Sequence, residues 1–169
     1  MEALERYFEN LYNLRVGVVG QGSDRYERPH KPAMLLTVLD LMDAGEIARN
    51  RIEWNDCLRE RFAKIFEVVR SSNDKATPEN LYFYLRSEGF WRHVGKAGKE
   101  VLVEGLSNPP RKSDLADGIF HVELEADFYH LLEDRKKREL FREALISRYF
   151  PDKQDALAEL TIRKTSQSG

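Results

Sequence analysis

Apolar residues recur every three or four positions along much of the chain, which is the spacing of an amphipathic helix. Proline, glycine and short polar residues mark where these stretches begin and end. The pattern predicts six helices, over residues 2–14, 31–45, 55–70, 77–85, 127–132 and 136–149. The second is apolar around most of its circumference, so we expect it to be the central buried helix.

Two shorter stretches, rich in aromatic and β-branched residues, predict strands at Phe90–Val94 and Ile119–Leu124. Ile52–Trp54 is a further short extended stretch, and residues 95–117 are expected to form a loop because they are rich in glycine and proline. The fold class is therefore mainly α (α+β), a compact helical bundle of about five to six helices with a small two-stranded β element.

Length and composition favour a single globular domain. The chain has 169 residues, of which 41% are hydrophobic and 33% charged, a balance that supports a buried core. We expect the domain to span residues 1–151. Residues 152–169 become polar and are expected to form a linker toward a missing further domain. The longest apolar stretch, Ala33–Leu39, is too short to cross a bilayer, so a cytoplasmic location is expected.

The sequence contains no recognisable catalytic constellation. Cys57 is the only cysteine, and the four histidines form no metal-binding pair. Glu123 and Glu125 could hold a metal ion, but such a pair is more often a solvated strand surface. We therefore expect no catalytic residue, no metal and no cofactor in this chain, and a binding domain in place of an enzyme.

Charge clusters suggest where an anion could bind, although the net charge is −2. Arg25, Arg28 and Lys31 lie close together just before the central helix, whose N-terminus would present free N–H groups to a phosphate. Alternatively this basic loop only caps its helix, with His30 as a packed ring. Residues 135–142 form another basic cluster, which is more often a solvated helix face.

A second helix start, at Thr77 and Pro78, combines a hydroxyl cap with a proline in the first turn. Read alone, this is most often an ordinary capped turn. The aromatic run that follows it, Tyr82–Tyr84, is expected to be core and not a platform on which bases stack.

Three segments in this order resemble a known family: Pro29–Leu36, Phe83–Trp91 and Leu140–Pro151. Together they resemble the N-terminal sulfur-binding domain of phosphorothioate-dependent, type IV McrA-like HNH restriction endonucleases. The resemblance implies that the chain binds double-stranded DNA in which sulfur replaces a non-bridging phosphate oxygen. It also implies a nuclease domain beyond this chain, through which the full-length protein could form a homodimer.

The resemblance implies site residues as well. The basic segment of the family corresponds to His30 and Lys31, and its proline-containing sulfur cup to Pro78, with Thr77 and Leu81 beside it. Two positions depart from the family pattern, since relatives can have arginine in place of Lys31 and an aromatic residue in place of Thr77. We expect the backbone charge to be met by Arg28 together with Lys31.

Further DNA contacts are expected around this cup, at Arg25, Asn73, Lys75 and Arg86. Arg25 and Arg86 are the candidates for reading base edges, because arginine to guanine is the commonest such contact. Two alternatives stay open. The chain could be a DNA-binding module of a nuclease that does not read sulfur, or a protein-interaction domain, which its acidic net charge would suit.

Overall fold

The computed structural model of the protein describes residues 3–71 and 74–160, without the side chain of Asp24. The helices within these residues are α1 (Ala3–Tyr12), α2 (His30–Asp43), α3 (Asp56–Val69), α4 (Pro78–Tyr84), α5 (Glu100–Glu104), α6 (Lys112–Ala116), α7 (Ala126–Leu132), α8 (Arg135–Tyr149) and α9 (154–160). The strands are β1 (Val18–Val19), β2 (Tyr26–Glu27), β3 (Trp91–Gly95) and β4 (Phe120–Leu124). The predicted class, mainly helical with a small β element, is confirmed.

The two predicted strands pair with each other as an antiparallel ribbon. Trp91 lies opposite Leu124 and Gly95 opposite Phe120. Ile52, in the third predicted extended stretch, forms a single antiparallel bridge to Val122 and so ties the start of α3 to this ribbon. The alternation of buried and half-buried residues along β4 is that of a strand with one face on the core.

Two parts of the prediction were incomplete. The basic loop predicted just before the central helix is preceded by and includes the small β1–β2 hairpin, in which Val18 pairs with Glu27. The loop predicted over residues 95–117 contains α5 and α6. Each of these helices has five residues, too few for a helical period to emerge, and each is held by one buried side chain, Val103 or Leu115.

Helix α2 occupies the centre of the molecule, as predicted from a sequence that is apolar around most of the helix circumference. Every residue from Pro32 to Leu41 is buried. The helix packs against α3, α4 and α8. Its first turn is therefore held in place from several sides, which fixes the position of the basic segment that precedes it.

A buried ionic cluster joins the three longest helices. Asp40 of α2 accepts hydrogen bonds from Arg61 of α3 at 2.8 Å and from Arg142 of α8 at 3.0 Å. Arg138 binds Asp43 at 2.8 Å. Arg138 and Arg142, two arginines of the basic cluster at residues 135–142, therefore form ion pairs within the protein. A charged side chain that is removed from water needs such a partner.

Helical structure continues beyond the predicted domain end at residue 151. A 3₁₀ turn (Pro151–Lys153) leads into α9, whose Leu157 is 6% exposed and packs in the core. Residues 161–169 of the predicted linker lie outside the described residues. Within the part that is described, no helix has the length and apolarity needed to cross a membrane.

Candidate nucleic-acid interface

A shallow pocket of roughly 380 Å³ lies where α2 and α4 both begin. We call it the α2–α4 pocket. Its apolar wall is formed by Val16, Leu81 and Tyr84. Its polar lining comprises Arg15, Gly17, Arg28, His30, Lys31, Thr77, Asn80 and Ser87. The pocket therefore combines apolar surface with three cationic side chains.

Five of the six residues predicted to bind sulfur or phosphate line this one pocket: Arg28, His30, Lys31, Thr77 and Leu81. The sixth, Pro78, is the first residue of α4 and follows Thr77 directly. Pro78 is half-buried and is not among the residues that line the pocket. The two helix starts that the sequence singled out separately thus meet on a common surface.

His30 fastens the start of α2 to the loop before α4. Its Nε2 lies 3.0 Å from the carbonyl oxygen of Lys75, and because a carbonyl only accepts, Nε2 must be the protonated nitrogen. The ring packs on Phe66 at 4.8 Å and is 9% exposed. Little of the imidazole reaches the pocket, so its contacts fit the alternative of a packed ring that positions its neighbours.

Asp74 is a buried residue of the same loop, and its carboxylate accepts several hydrogen bonds. It is 3% exposed and accepts hydrogen bonds from the Ser71 backbone N–H and from the Tyr26 hydroxyl, both at 3.0 Å. Burial alone would raise the pKa of Asp74, but these hydrogen bonds outweigh it and the pKa is lowered. The carboxylate therefore joins the β1–β2 hairpin to the loop that carries Thr77.

Lys31 is not a free cation. Its ammonium group lies 2.6 Å from a carboxylate oxygen of Glu88 and 3.1 Å from the Ser87 hydroxyl. Both charged side chains of this pair are nearly buried, at 11% exposure for Lys31 and 7% for Glu88. The same Glu88 oxygen accepts the backbone N–H of Arg15 at 3.0 Å. Glu88 thus already compensates the lysine charge.

Arg15 and Arg28 supply the free positive charge of the pocket. Both are exposed, and neither side chain forms an ion pair with any described residue. The Arg28 side chain lies across Gly17, where an added Cβ would come within 2.8 Å of Arg28 Cδ. Gly17 therefore lets this arginine lie flat against the backbone.

The other predicted DNA contacts lie outside the pocket lining. Arg25 and Lys75 are exposed and, among the described residues, unpaired. Arg86 packs its guanidinium over the Phe83 ring at 4.3 Å and donates to the carbonyl oxygen of Leu106, toward α5. Asn73 lies outside the described residues.

One detail of the second helix start was wrong, because the Thr77 hydroxyl makes no capping hydrogen bond. Pro29, which precedes α2, has no side-chain acceptor either. In contrast, Asn55 caps α3, its side chain accepting from the backbone N–H of Leu58. Neither N-cap residue of the two helices that meet at the pocket therefore caps its helix with a side-chain oxygen.

The sequence did not single out Arg15 or Asn80 as site residues. It predicted Tyr84 to be core together with Tyr82 and Phe83, which was wrong for Tyr84, since this side chain is exposed. Asn80, Leu81 and Tyr84 follow Thr77 at spacings of three, four and seven, so helical geometry places all four on one face. That spacing could have found Asn80 and Tyr84. Arg15 follows α1 in a segment without regular periodicity, and no signal in the sequence pointed to it.

A larger cavity, roughly 500 Å³, lies between α2, α3, α8 and α9. Its charged lining includes Asp40, Arg61 and Arg142, and both arginines donate hydrogen bonds to Asp40. Within the described residues no cluster of three or more histidine, cysteine or acidic side chains could hold a metal ion. Glu125, a candidate ligand from the sequence, instead accepts a hydrogen bond from Tyr7.

The fold is that of the sulfur-binding domains of McrA-type proteins. The sulfur-binding domain of ScoMcrA, solved in complex with phosphorothioated DNA, matches with a TM-score of 0.59 and 17% identity, covering 85% of this chain and 87% of that chain. The sulfur-binding domain of SprMcrA, also complexed with phosphorothioated DNA, matches with a TM-score of 0.60 and 19% identity, covering 88% and 86%.

No protein-family model matches the sequence, and no match was found among curated proteins. The resemblance predicted from the three sequence segments is thus confirmed by structure at the level of the fold.

Proposed function

We propose that this domain binds double-stranded DNA carrying a phosphorothioate linkage, with the sulfur atom placed in the α2–α4 pocket. One observation carries the proposal: the two helix starts that the family resemblance assigns to the modified linkage border a single pocket, which offers both apolar surface and arginines that are unpaired among the described residues. In this proposal the domain delivers a type IV HNH restriction nuclease to its DNA in the cytoplasm, and that nuclease could provide a homodimer contact.

The apolar wall supports a preference for sulfur. A phosphorothioate sulfur is larger, more polarisable and less strongly hydrated than an oxygen. Contact with Leu81, Tyr84 and Val16 would cost little hydration at sulfur, whereas an oxygen would lose hydrogen bonds to water. We expect discrimination on the order of 1–3 kcal/mol, or about 5- to 150-fold in Kd.

The cations that are unpaired within the described part of the chain support binding of the DNA backbone in general. Arg15 and Arg28 line the pocket, and Arg25 and Lys75 extend the positive surface on the segments that border it. Each phosphate neutralised by such a side chain releases counterions, so affinity falls steeply with salt. Arg25, on the exposed β1–β2 hairpin, is the better placed of the two candidates for reading bases, because Arg86 is engaged with Phe83 and Leu106.

Fluorescence anisotropy with two duplexes of identical sequence tests the proposal, one of them carrying a single phosphorothioate of defined stereochemistry. Several sequences and both stereoisomers should be compared at a fixed salt concentration. We expect at least one modified duplex to bind five-fold or more tightly than its unmodified partner. Equal affinity in every pair would support a DNA-binding module that does not read sulfur.

The dependence of the affinity on salt concentration separates DNA binding from a protein-interaction role. The logarithm of the affinity should fall linearly with the logarithm of the salt concentration, with a slope of about −0.9 for each phosphate contacted. Absence of binding to every duplex at low salt would favour the protein-interaction domain that the acidic net charge suggested.

A further inference from the structure

The pair formed by Lys31 and Glu88 is unusual for a surface meant to bind a polyanion. Phosphate-binding sites gain from free cations, yet the lysine at the start of α2 is held 2.6 Å from a carboxylate. The Glu88 side chain is 7% exposed and lies in the 3₁₀ turn (Leu85–Glu88) that follows α4. The Glu88 carboxylate therefore contacts two residues that line the pocket, Lys31 and Arg15.

We propose that Glu88 is a specificity-determining residue that keeps the Lys31 ammonium away from the bound linkage. This inference rests on the proposed function. An ammonium group approaches a hard phosphate oxygen more closely than the larger sulfur, and the attraction between charges weakens with distance. A free Lys31 would therefore favour oxygen over sulfur, and Glu88 removes that advantage.

The structure gives two reasons why the linkage would not simply pull Lys31 away from Glu88. Both side chains are nearly buried, so separating them would leave Glu88 as an uncompensated charge out of water. Glu88 is also fixed by the backbone N–H of Arg15, and Lys31 by the hydroxyl of Ser87. The negative charge of the DNA backbone is then met by Arg15 and Arg28, which have no such partner among the described residues.

Glu88→Gln tests the inference, because glutamine keeps an oxygen for the Arg15 N–H but removes the negative charge. We expect affinity for the unmodified duplex to rise about tenfold and for the phosphorothioated duplex less than threefold, so that discrimination falls. The salt slope for the unmodified duplex should steepen by about 0.9, one further phosphate contact. Equal gains, no gain, or weaker binding of both duplexes would overturn the inference.

Two further variants make the result specific. Glu104→Gln removes one negative charge from exposed α5 and controls for the overall charge change. In Lys31→Gln/Glu88→Gln the gain of the single variant should disappear, because it acts through Lys31. If Glu88→Gln does not fold, the double variant is the test. A salt slope for the unmodified duplex that is shallower than the wild-type slope would show that Lys31 contacts a phosphate in the wild-type protein. That result would overturn the inference.

Failure of this inference and failure of the proposed function are distinguishable. A wild-type protein that binds modified and unmodified duplexes equally contradicts sulfur recognition itself. A wild-type protein that discriminates, with a Glu88→Gln variant that discriminates equally well, contradicts only the role of Glu88.

Discussion

The Nε2 of His30 donates a hydrogen bond to the carbonyl oxygen of Lys75 across 3.0 Å, joining residues 45 positions apart in the sequence. This bond connects the first residue of α2 with the loop that leads to Thr77. The buried Phe66 ring supports the imidazole from α3. The relative position of the two helix starts therefore depends on an internal hydrogen bond as well as on core packing.

His30→Phe should weaken binding without unfolding the domain. Phenylalanine retains the contact with Phe66 but leaves the Lys75 carbonyl without its donor, which costs about 1–3 kcal/mol of stability if no water replaces it. We expect affinity for a phosphorothioated duplex to fall about five- to tenfold, measured by anisotropy alongside thermal unfolding. His130→Phe, at an exposed site on α7, is the control. Wild-type affinity in His30→Phe would show that this bond does not position the pocket.

The sequence predicted the large elements and both helix starts at the pocket, because each rests on a local signal. Helix α2 is apolar around most of its circumference, and Pro32 and Pro78 each mark a first turn. Their meeting on one surface could not be predicted from spacing, since it depends on how α2 and α4 pack. The Lys31–Glu88 pair was not predicted for the same reason: its partners are 57 positions apart.

Arg28→Ala and Arg15→Ala should each reduce the salt dependence of DNA binding. Because both side chains are exposed and unpaired among the described residues, we expect each to contact one phosphate, and the magnitude of the slope to fall by about 0.9 per substitution. Affinities measured at four or more salt concentrations give the slope. Lys64→Ala, at an exposed position of α3, should leave it unchanged. A wild-type salt slope in both variants would show that the DNA backbone contacts neither Arg15 nor Arg28.

Asp74→Asn should destabilise the protein at neutral pH and much less in acid. The folded pKa of Asp74 lies below its ordinary value of 3.8, so its contribution is present above pH 3.8 and is lost as pH falls through the folded pKa. We expect a loss of about 1–2 kcal/mol at pH 7, shrinking below pH 4, measured by urea unfolding. Asp155→Asn, exposed on α9, serves as control. If the difference in unfolding free energy between Asp74→Asn and the wild type did not change with pH, the lowered pKa of Asp74 would be contradicted.

His93 should make the stability of the fold depend on pH. Burial, with the nearby Arg86 charge, lowers the pKa of His93 from 6.5 to about 4. The unfolded chain therefore binds a proton more readily, and stability present above pH 6.5 is lost as pH falls toward 4. Because His93 as a whole is half-buried, we expect the loss to be on the order of 1–2 kcal/mol.

His93→Phe should remove this part of the pH dependence, measured by urea unfolding between pH 4 and 7. Phenylalanine can keep the stacking on Phe120, which lies 4.1 Å from the His93 ring. His130→Gln, at an exposed position, should retain the wild-type profile. An unchanged pH profile in His93→Phe would show that other groups cause it.

The position of the sulfur atom in a complex tests the central claim most directly. Crystals of the domain with a singly phosphorothioated duplex, measured at long wavelength, would locate that sulfur by its anomalous scattering. We expect the peak in the α2–α4 pocket, within about 4 Å of the Leu81 or Tyr84 side chain. A sulfur bound away from this pocket, or exposed to solvent in an otherwise well-ordered complex, would contradict the account.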